Sequence, residues 1–193
     1  MLEHFVWIKE AGSGSFVSWH QDTKYWGLSS DRVITAWLAL SPASLDAGCM
    51  RVMPRTHTGD VLPHDDQYHQ DNLLTRGQQI TEGVDDDRAI AMPLQVGEMS
   101  LHNYRLAHAS GPNKTDDRRI GVSMHFMPTE TGQIASDWDS AALVRGEDTH
   151  GNFIHTPIPS GDFDATAMAF HAKASQALNK IVYAGAEENT AKL

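Results

Sequence analysis

Arg119-Ile120-Gly121-Val122-Ser123-Met124-His125-Phe126 is the stretch that decides the fold. Successive side chains of an extended strand point to opposite faces. Ile120, Val122, Met124 and Phe126 therefore make an apolar face, and Arg119, Gly121, Ser123 and His125 a polar one. Two architectures accommodate such a strand. In a β-sandwich the polar face meets solvent. In a small barrel with a polar interior, the polar face lines a ligand cavity and helices cover the apolar outside.

Outward from this strand the chain repeats short strands parted by turns. His4 to Lys9 is apolar and aromatic, and Gly12-Ser13-Gly14-Ser15 ends it. Phe16 to Trp19, Val33 to Leu40 and Cys49 to Met53 follow, the last closed by Pro54. Ala89 to Leu94 and Glu98 to Asn103 precede the deciding strand. Residues 55–79 are polar and read as a loop with one helical turn, and residues 128–163 as irregular. From Asp164 the period changes. Asp164 is a good N-cap, and Ala167, Met168, Ala174, Leu178, Ile181 and Val182 recur at near-helical spacing. The sequence thus predicts one mainly β domain over 1–193. Its β core covers about 3–127, and an amphipathic helix over about 164–184 packs on that core.

Fifteen basic against twenty-five acidic residues give a net charge of −10. Affinity for phosphates and anionic lipid comes from clustered Lys and Arg, so neither nucleic acid nor a membrane surface is an expected partner. The longest apolar run, about Val33 to Leu40, is too short for a spanning helix. The single cysteine, Cys49, excludes an internal disulfide and a cysteine-rich zinc site. Met1 to Glu10 lacks signal-peptide architecture, so the expected location is cytoplasmic; the final Ala191-Lys192-Leu193 loosely matches a peroxisomal address. Eleven histidines direct attention to metal and acid–base chemistry.

In Trp19-His20-Gln21-Asp22, extended backbone puts His20 and Asp22 on one side. An imidazole and a carboxylate together are two of the three ligands of a facial iron(II) site with open positions. The third must come from a distant strand. His108, within Leu106 to Asn113, is the best candidate, and His102 is its competitor. Arg118 and Arg119 point to opposite faces, and the apolar company of Arg118's face puts Arg119 inside. An inward guanidinium needs an anion, and its fork grips a carboxylate bidentately. The loop from His57 to His69 reads as a solvated lid over the pocket.

Trp19 to Trp26, Ala36-Trp37, Gly48 to Val52, Pro54 to His57, and His108 to Asn113 with Arg119 occur in order between about Val6 and Phe126. Together they resemble the phytanoyl-CoA dioxygenase family of iron(II)- and 2-oxoglutarate-dependent oxygenases. Leu143 to Gly146, leading to Gly151-Asn152-Phe153, is similar to a segment of some bacterial members. The resemblance implies a double-stranded β-helix, a cupin-like jelly roll, with the C-terminal helix packed outside. It implies that His20, Asp22 and His108 hold the metal. Arg119 would hold the distal carboxylate of 2-oxoglutarate, with help from the Ser110 hydroxyl and with Trp37 nearby. Trp7, Lys9 and Tyr25 are expected to line the pocket, and His102 to stand behind the ligands.

The reagents so implied are iron(II), 2-oxoglutarate, dioxygen and a small organic substrate, which is hydroxylated or otherwise oxidised as succinate and carbon dioxide are released. Related halogenases carry a small residue where Asp22 stands, so Asp22 implies a hydroxylase-type reaction. Family members place a substantial region before the His-x-Asp strand. Only nineteen residues precede His20, so the N-terminal part of the family fold is expected to be missing. Two other readings stay open: a degenerate member that binds a ligand without turnover, and a cupin-like metal-dependent isomerase or hydrolase, against which Arg119 speaks. The sequence specifies neither the substrate nor the oligomeric state.

Overall fold

The structure, a computed structural model, describes residues 1–186; the terminal Ala191-Lys192-Leu193 lies outside them. Strands β1 (His4–Lys9), β2 (Val17–His20), β3 (Ile34–Ala39) and β4 (Met50–Val52) lead to a hairpin, β5 (His64–Asp66) with β6 (Gln78–Ile80). Strands β7 (Ile90–Met92), β8 (Met99–Asn103), β9 (His108–Ser110) and β10 (Arg119–Phe126) complete the core. After them come a two-residue parallel pair, β11 (Ser140–Ala141) with β12 (Ile154–His155), and a helix, α1 (Ala165–Val182). One antiparallel sheet runs β1-β10-β3-β8 and the other β2-β9-β4-β7. They close around a shared cavity, which is the jelly-roll arrangement.

Of the two architectures open to the deciding strand, the polar interior is the one observed. Along β10, Arg119, Gly121, Ser123 and His125 are buried, while the apolar residues between them are only half-buried. The same inversion runs across the sheet. Lys9 is buried at the end of β1 while Val6 and Ile8 are exposed. Ser100 and His102 are buried on β8 while Leu101 is 66% exposed. Because the centre is a cavity, apolar burial is divided among three small clusters, around Tyr104, Trp37 and Met53.

Two segments read as loop or irregular chain carry strands. Residues 55–79 hold a 3-10 turn at Thr56–Thr58 and the β5–β6 hairpin, and residues 128–163 hold β11 and β12. Strand β5 is His-Asp-Asp and β6 Gln-Gln-Ile, so neither shows an apolar alternation to read. The helix forms where expected, with the Asp164 carboxylate accepting from the Ala167 N–H at 2.9 Å. Of the positions expected on its inward face, Ala167, Ala174, Leu178, Ile181 and Val182 are buried or half-buried; Met168 is exposed, and Phe170 packs against Trp138. Among the described residues no helix is long and apolar enough to cross a membrane.

Arg76 fastens the end of α1. Its Nη1 donates to the carbonyls of Val182 at 2.8 Å and Ala184 at 3.2 Å, and its Nε to Asp66 at 3.0 Å. The guanidinium also lies over Tyr25. A cation at a helix C-terminus is favoured by the dipole, and here it brings the last turns of α1 to the cavity mouth.

Gly121 makes the cavity wall possible. A Cβ there would stand 2.0 Å from Cζ2 of Trp37, whose indole crosses the strand at that point. Gly121→Ala is therefore expected to destabilise the protein by about 1–3 kcal/mol, the usual cost of overpacking. Urea unfolding followed by tryptophan fluorescence measures this, and an unchanged midpoint would mean that Trp37 does not lie against Gly121.

Candidate functional site

Strand β2 ends at His20, Gln21 stays extended, and Asp22 opens a 3-10 turn, Asp22–Lys24. That one extended residue puts the His20 and Asp22 side chains on the same side. Gln21 is held on three sides. Its backbone N–H donates to His64 Nε2 at 3.0 Å, its Nε2 to the Arg105 carbonyl at 2.6 Å, and its Oε1 accepts from the Leu62 N–H at 2.8 Å. His64, read from sequence as part of a lid, thus braces the residue between two candidate ligands.

Register supplies the third. His20 pairs with His108 across β2 and β9, and their ring centroids are 4.1 Å apart. One donor atom from each of His20, Asp22 and His108 lies within 4.8 Å of the others, and among the described residues this is the only such group. His20 Nε2 is 3.3 Å from Asp22 Oδ1. Each imidazole donates its Nδ1–H to the carbonyl two residues before it, Ser18 for His20 and Leu106 for His108, both at 2.9 Å. A carbonyl only accepts, so Nδ1 carries the proton and the Nε2 lone pair is free for a metal.

Burial lowers the His108 pKa to about 3, with the neighbouring His20 adding to the effect, so this ring is neutral near pH 7. Burial alone would raise the Asp22 carboxyl, but the His108 and His20 imidazoles beside it hold it well below the usual carboxylate range. Imidazole donors with one carboxylate fit a divalent first-row ion of the iron(II) type. His102 is not in the donor group. It sits on β8 in the facing sheet, its ring 5.0 Å from that of His108.

The other end of the cavity is cationic. Arg119 is 4% exposed; its Nη2 donates to the Gly48 carbonyl at 3.2 Å and to Ser110 Oγ at 3.4 Å, and its Nε has no partner. Its guanidinium lies 5.1 Å from the Trp37 ring centroid. Burial lowers its pKa to about 10, which leaves it charged. Among the described residues no carboxylate pairs with it.

Lys9, expected to line the pocket, lies behind it instead. It is fully buried on the β1 row that pairs with Arg119, and its Nζ donates to Ser110 Oγ at 2.7 Å. Burial, then repulsion from Arg119, lowers its pKa to about 7. The Ser110 oxygen accepts from both cations, so its own hydrogen is left to donate into the cavity. The full site is a cavity of about 290 Å³ that joins the candidate metal group to Arg119 and Ser110, with Trp7, Tyr25, Trp37 and His102 on its walls.

Sequence reasoning missed Phe5, Trp26 and His125 as wall residues, together with Leu178 and Val182 from α1. Strand parity marks Phe5, which points the same way as Trp7, and His125, which points the same way as Arg119. Nothing local marks the His64–Gln21 bond, which joins residues 43 apart in the chain.

A family model described as phytanoyl-CoA dioxygenase (PhyH) matches residues 1–121. The chain is 31% identical to the peroxisomal phytanoyl-CoA dioxygenase of Homo sapiens over 116 residues, which are 60% of this chain and 34% of that protein. The fold is similar to that of ThoJ, a non-heme monooxygenase solved in its apo form. The TM-score is 0.81 and the identity 32%, over 94% of this chain and 65% of that one. It is also similar to EvdO2 from Micromonospora carbonacea var. aurantiaca complexed with 2-oxoglutarate. Here the TM-score is 0.57 and the identity 32%, over 70% and 55% of the two chains. The chain spans about a third of the length of the curated relatives it matches.

Asp22→Ala, His20→Ala and His108→Ala should each lower iron(II) affinity by more than about tenfold, since each removes one protein donor. His102→Ala should bind like the parent. Anaerobic titration calorimetry reads this directly. Loss of binding in His102→Ala with binding kept in His108→Ala would reassign the third ligand.

Proposed function

We propose, from the premise that the chain belongs to the phytanoyl-CoA dioxygenase family, that it is an iron(II)- and 2-oxoglutarate-dependent oxygenase acting on a small organic substrate. The observation that carries this reading is the unpaired guanidinium of Arg119 in the same cavity as the His20, Asp22 and His108 donors. A buried guanidinium without a carboxylate partner in the donor cavity speaks for an anionic cosubstrate and against an isomerase or hydrolase that uses the three donors alone.

Bound iron(II) with 2-oxoglutarate and dioxygen supplies an oxidant able to cleave a substrate C–H bond, with succinate and carbon dioxide as co-products. The chain's own residues do the rest. His20, Asp22 and His108 would hold the metal, with Nδ1–H bonds fixing both rings. Arg119 and the Ser110 hydroxyl receive the far carboxylate of the cosubstrate, and Lys9 fixes the serine from behind. Trp37 covers the guanidinium and keeps water from it. Phe5, Trp7, Tyr25 and Trp26 give the substrate an aromatic wall, and Leu178 and Val182 of α1 stand at its mouth. Asp22 fills the ligand position that a halogenase would leave for chloride, so the reaction is hydroxylation or another oxidation without halogen transfer.

Arg119→Ala removes the fork that grips the distal carboxylate. A charge-assisted bidentate pair is worth roughly 1.5–3 kcal/mol, so 2-oxoglutarate affinity should fall on the order of a hundredfold while iron binding is nearly unchanged. Arg118→Ala should match the parent, because Arg118 is exposed and paired with Glu10. Anaerobic titration of the visible charge-transfer band of the iron chelate measures both, and equal losses would contradict the strand register. With substrate, the parent should release succinate and give an oxidised product free of chlorine even in added chloride. A chlorinated product would overturn the assignment.

A further inference from the structure

Three buried nitrogen atoms at the cavity have no hydrogen-bond partner: both ring nitrogens of His102 and Nε2 of His125. The residues are 6% and 3% exposed, and both line the cavity. They share one row of the sheet, because Thr35 pairs with His102 on one side and with His125 on the other. The Thr35 hydroxyl meets His125 Nδ1 at 3.0 Å, which leaves Nε2 as the free end. Trp26 stands edge-on to His125, ring centroids 4.3 Å apart, and Phe5 lies 5.9 Å from it. Native proteins rarely leave buried polar atoms unpaired, and in a cavity wall the missing partner belongs to whatever the cavity takes up.

We propose that His102 and His125 form a substrate subsite that receives a neutral oxygen function, a hydroxyl or a carbonyl, on an otherwise apolar molecule. This rests on the oxygenase reading of the same cavity and names its substrate class. Three features support it. The row lies six residues along β10 from Arg119, about 20 Å at strand spacing, so the carboxylate held by the guanidinium is bound elsewhere. Burial lowers the His125 pKa to about 4, so that ring is neutral near pH 7. A neutral imidazole offers one N–H and one lone pair, which suits a hydroxyl or carbonyl and gives no charge to hold a carboxylate or phosphate. The wall beside the row is aromatic, which suits an apolar body. One hydrogen bond at the end of an apolar body also decides which C–H faces the metal.

The test uses the full chain loaded with zinc(II) and 2-oxoglutarate, which does not turn over. Binding of both is verified first, so a failure of the oxygenase reading appears there, separately. Cyclohexanol, cyclohexanone, methylcyclohexane and cyclohexanecarboxylate are then titrated while the imidazole nitrogens are followed by two-bond proton–nitrogen NMR. The alcohol or the ketone should shift the His102 or His125 nitrogens and bind about tenfold tighter than the hydrocarbon. The carboxylate should leave them unmoved. His102→Phe and His125→Phe should lose the preference for oxygen with 2-oxoglutarate affinity unchanged, and His102→Gln and His125→Gln, which keep a neutral polar group, should retain part of it. Equal binding of alcohol and hydrocarbon to the parent, unmoved imidazole nitrogens, or a preference that survives in both Phe variants would overturn the proposal.

Discussion

Lys9 and Arg119 lie on paired positions of adjacent strands, both buried, with no carboxylate among the described residues to balance them. An ammonium beside a guanidinium in a low-dielectric interior resists desolvation and is repelled, and that cost lowers the Lys9 pKa to about 7, so Lys9 is only partly protonated near neutral pH. The fold contains that cost by spreading it. Lys9 is satisfied by the Ser110 hydroxyl and by the Ser110 and Gly111 carbonyls. Arg119 is stacked on Trp37, and Trp37 lies flat only because residue 121 has no side chain. What is not compensated inside the chain is the negative charge itself, which under the proposed function a dicarboxylate cosubstrate would supply.

The rest of the interior follows from strand register. Moving along β1 and β10 from the Lys9–Arg119 row, the inward positions are Trp7 with Gly121, Phe5 with Ser123, and then His125. The wall therefore grades from the Arg119 guanidinium, with Lys9 behind it, through aromatic rings to the His125 imidazole. The facing sheet runs alongside. His108 and Ser110 are two residues apart on β9, about 7 Å at strand spacing. One short strand thus presents a candidate metal donor at one end and, at the other, the hydroxyl proposed to meet a carboxylate, a separation suited to a five-carbon diacid. Because successive side chains alternate, a one-residue slip of β9 would turn both outward at once.

Much of this was legible because the informative residues are polar ones in strands. The alternation in Arg119 to Phe126 exposed an inverted strand, and the spacing of His20 and Asp22 held because Gln21 is extended. The ambiguity between His102 and His108 needed register to resolve: the two rings are neighbours, yet they stand on different sheets. Lys9, expected to line the pocket, lies behind it, because a strand position does not show that Ser110 stands in front. The β5–β6 hairpin escaped because its strands are charged and polar, and they pair through backbone groups that every sequence carries. The helix and its inward face follow the apolar spacing except at Met168, which is exposed while Phe170 packs on Trp138.

A net charge of −10 sets a further constraint on how the cavity recognises an anion. The far field of such a protein opposes the approach of a doubly charged diacid, so long-range steering works against binding. Salt screens that repulsion beyond about 8 Å at physiological ionic strength. Inside the barrel the screening is weak, and a single guanidinium acts at close range in a medium of low dielectric. Recognition must then be short-ranged and buried, carried by Arg119 and Ser110 rather than by a basic surface. The same burial that makes Arg119 costly in the empty protein is what lets one arginine outweigh an acidic exterior.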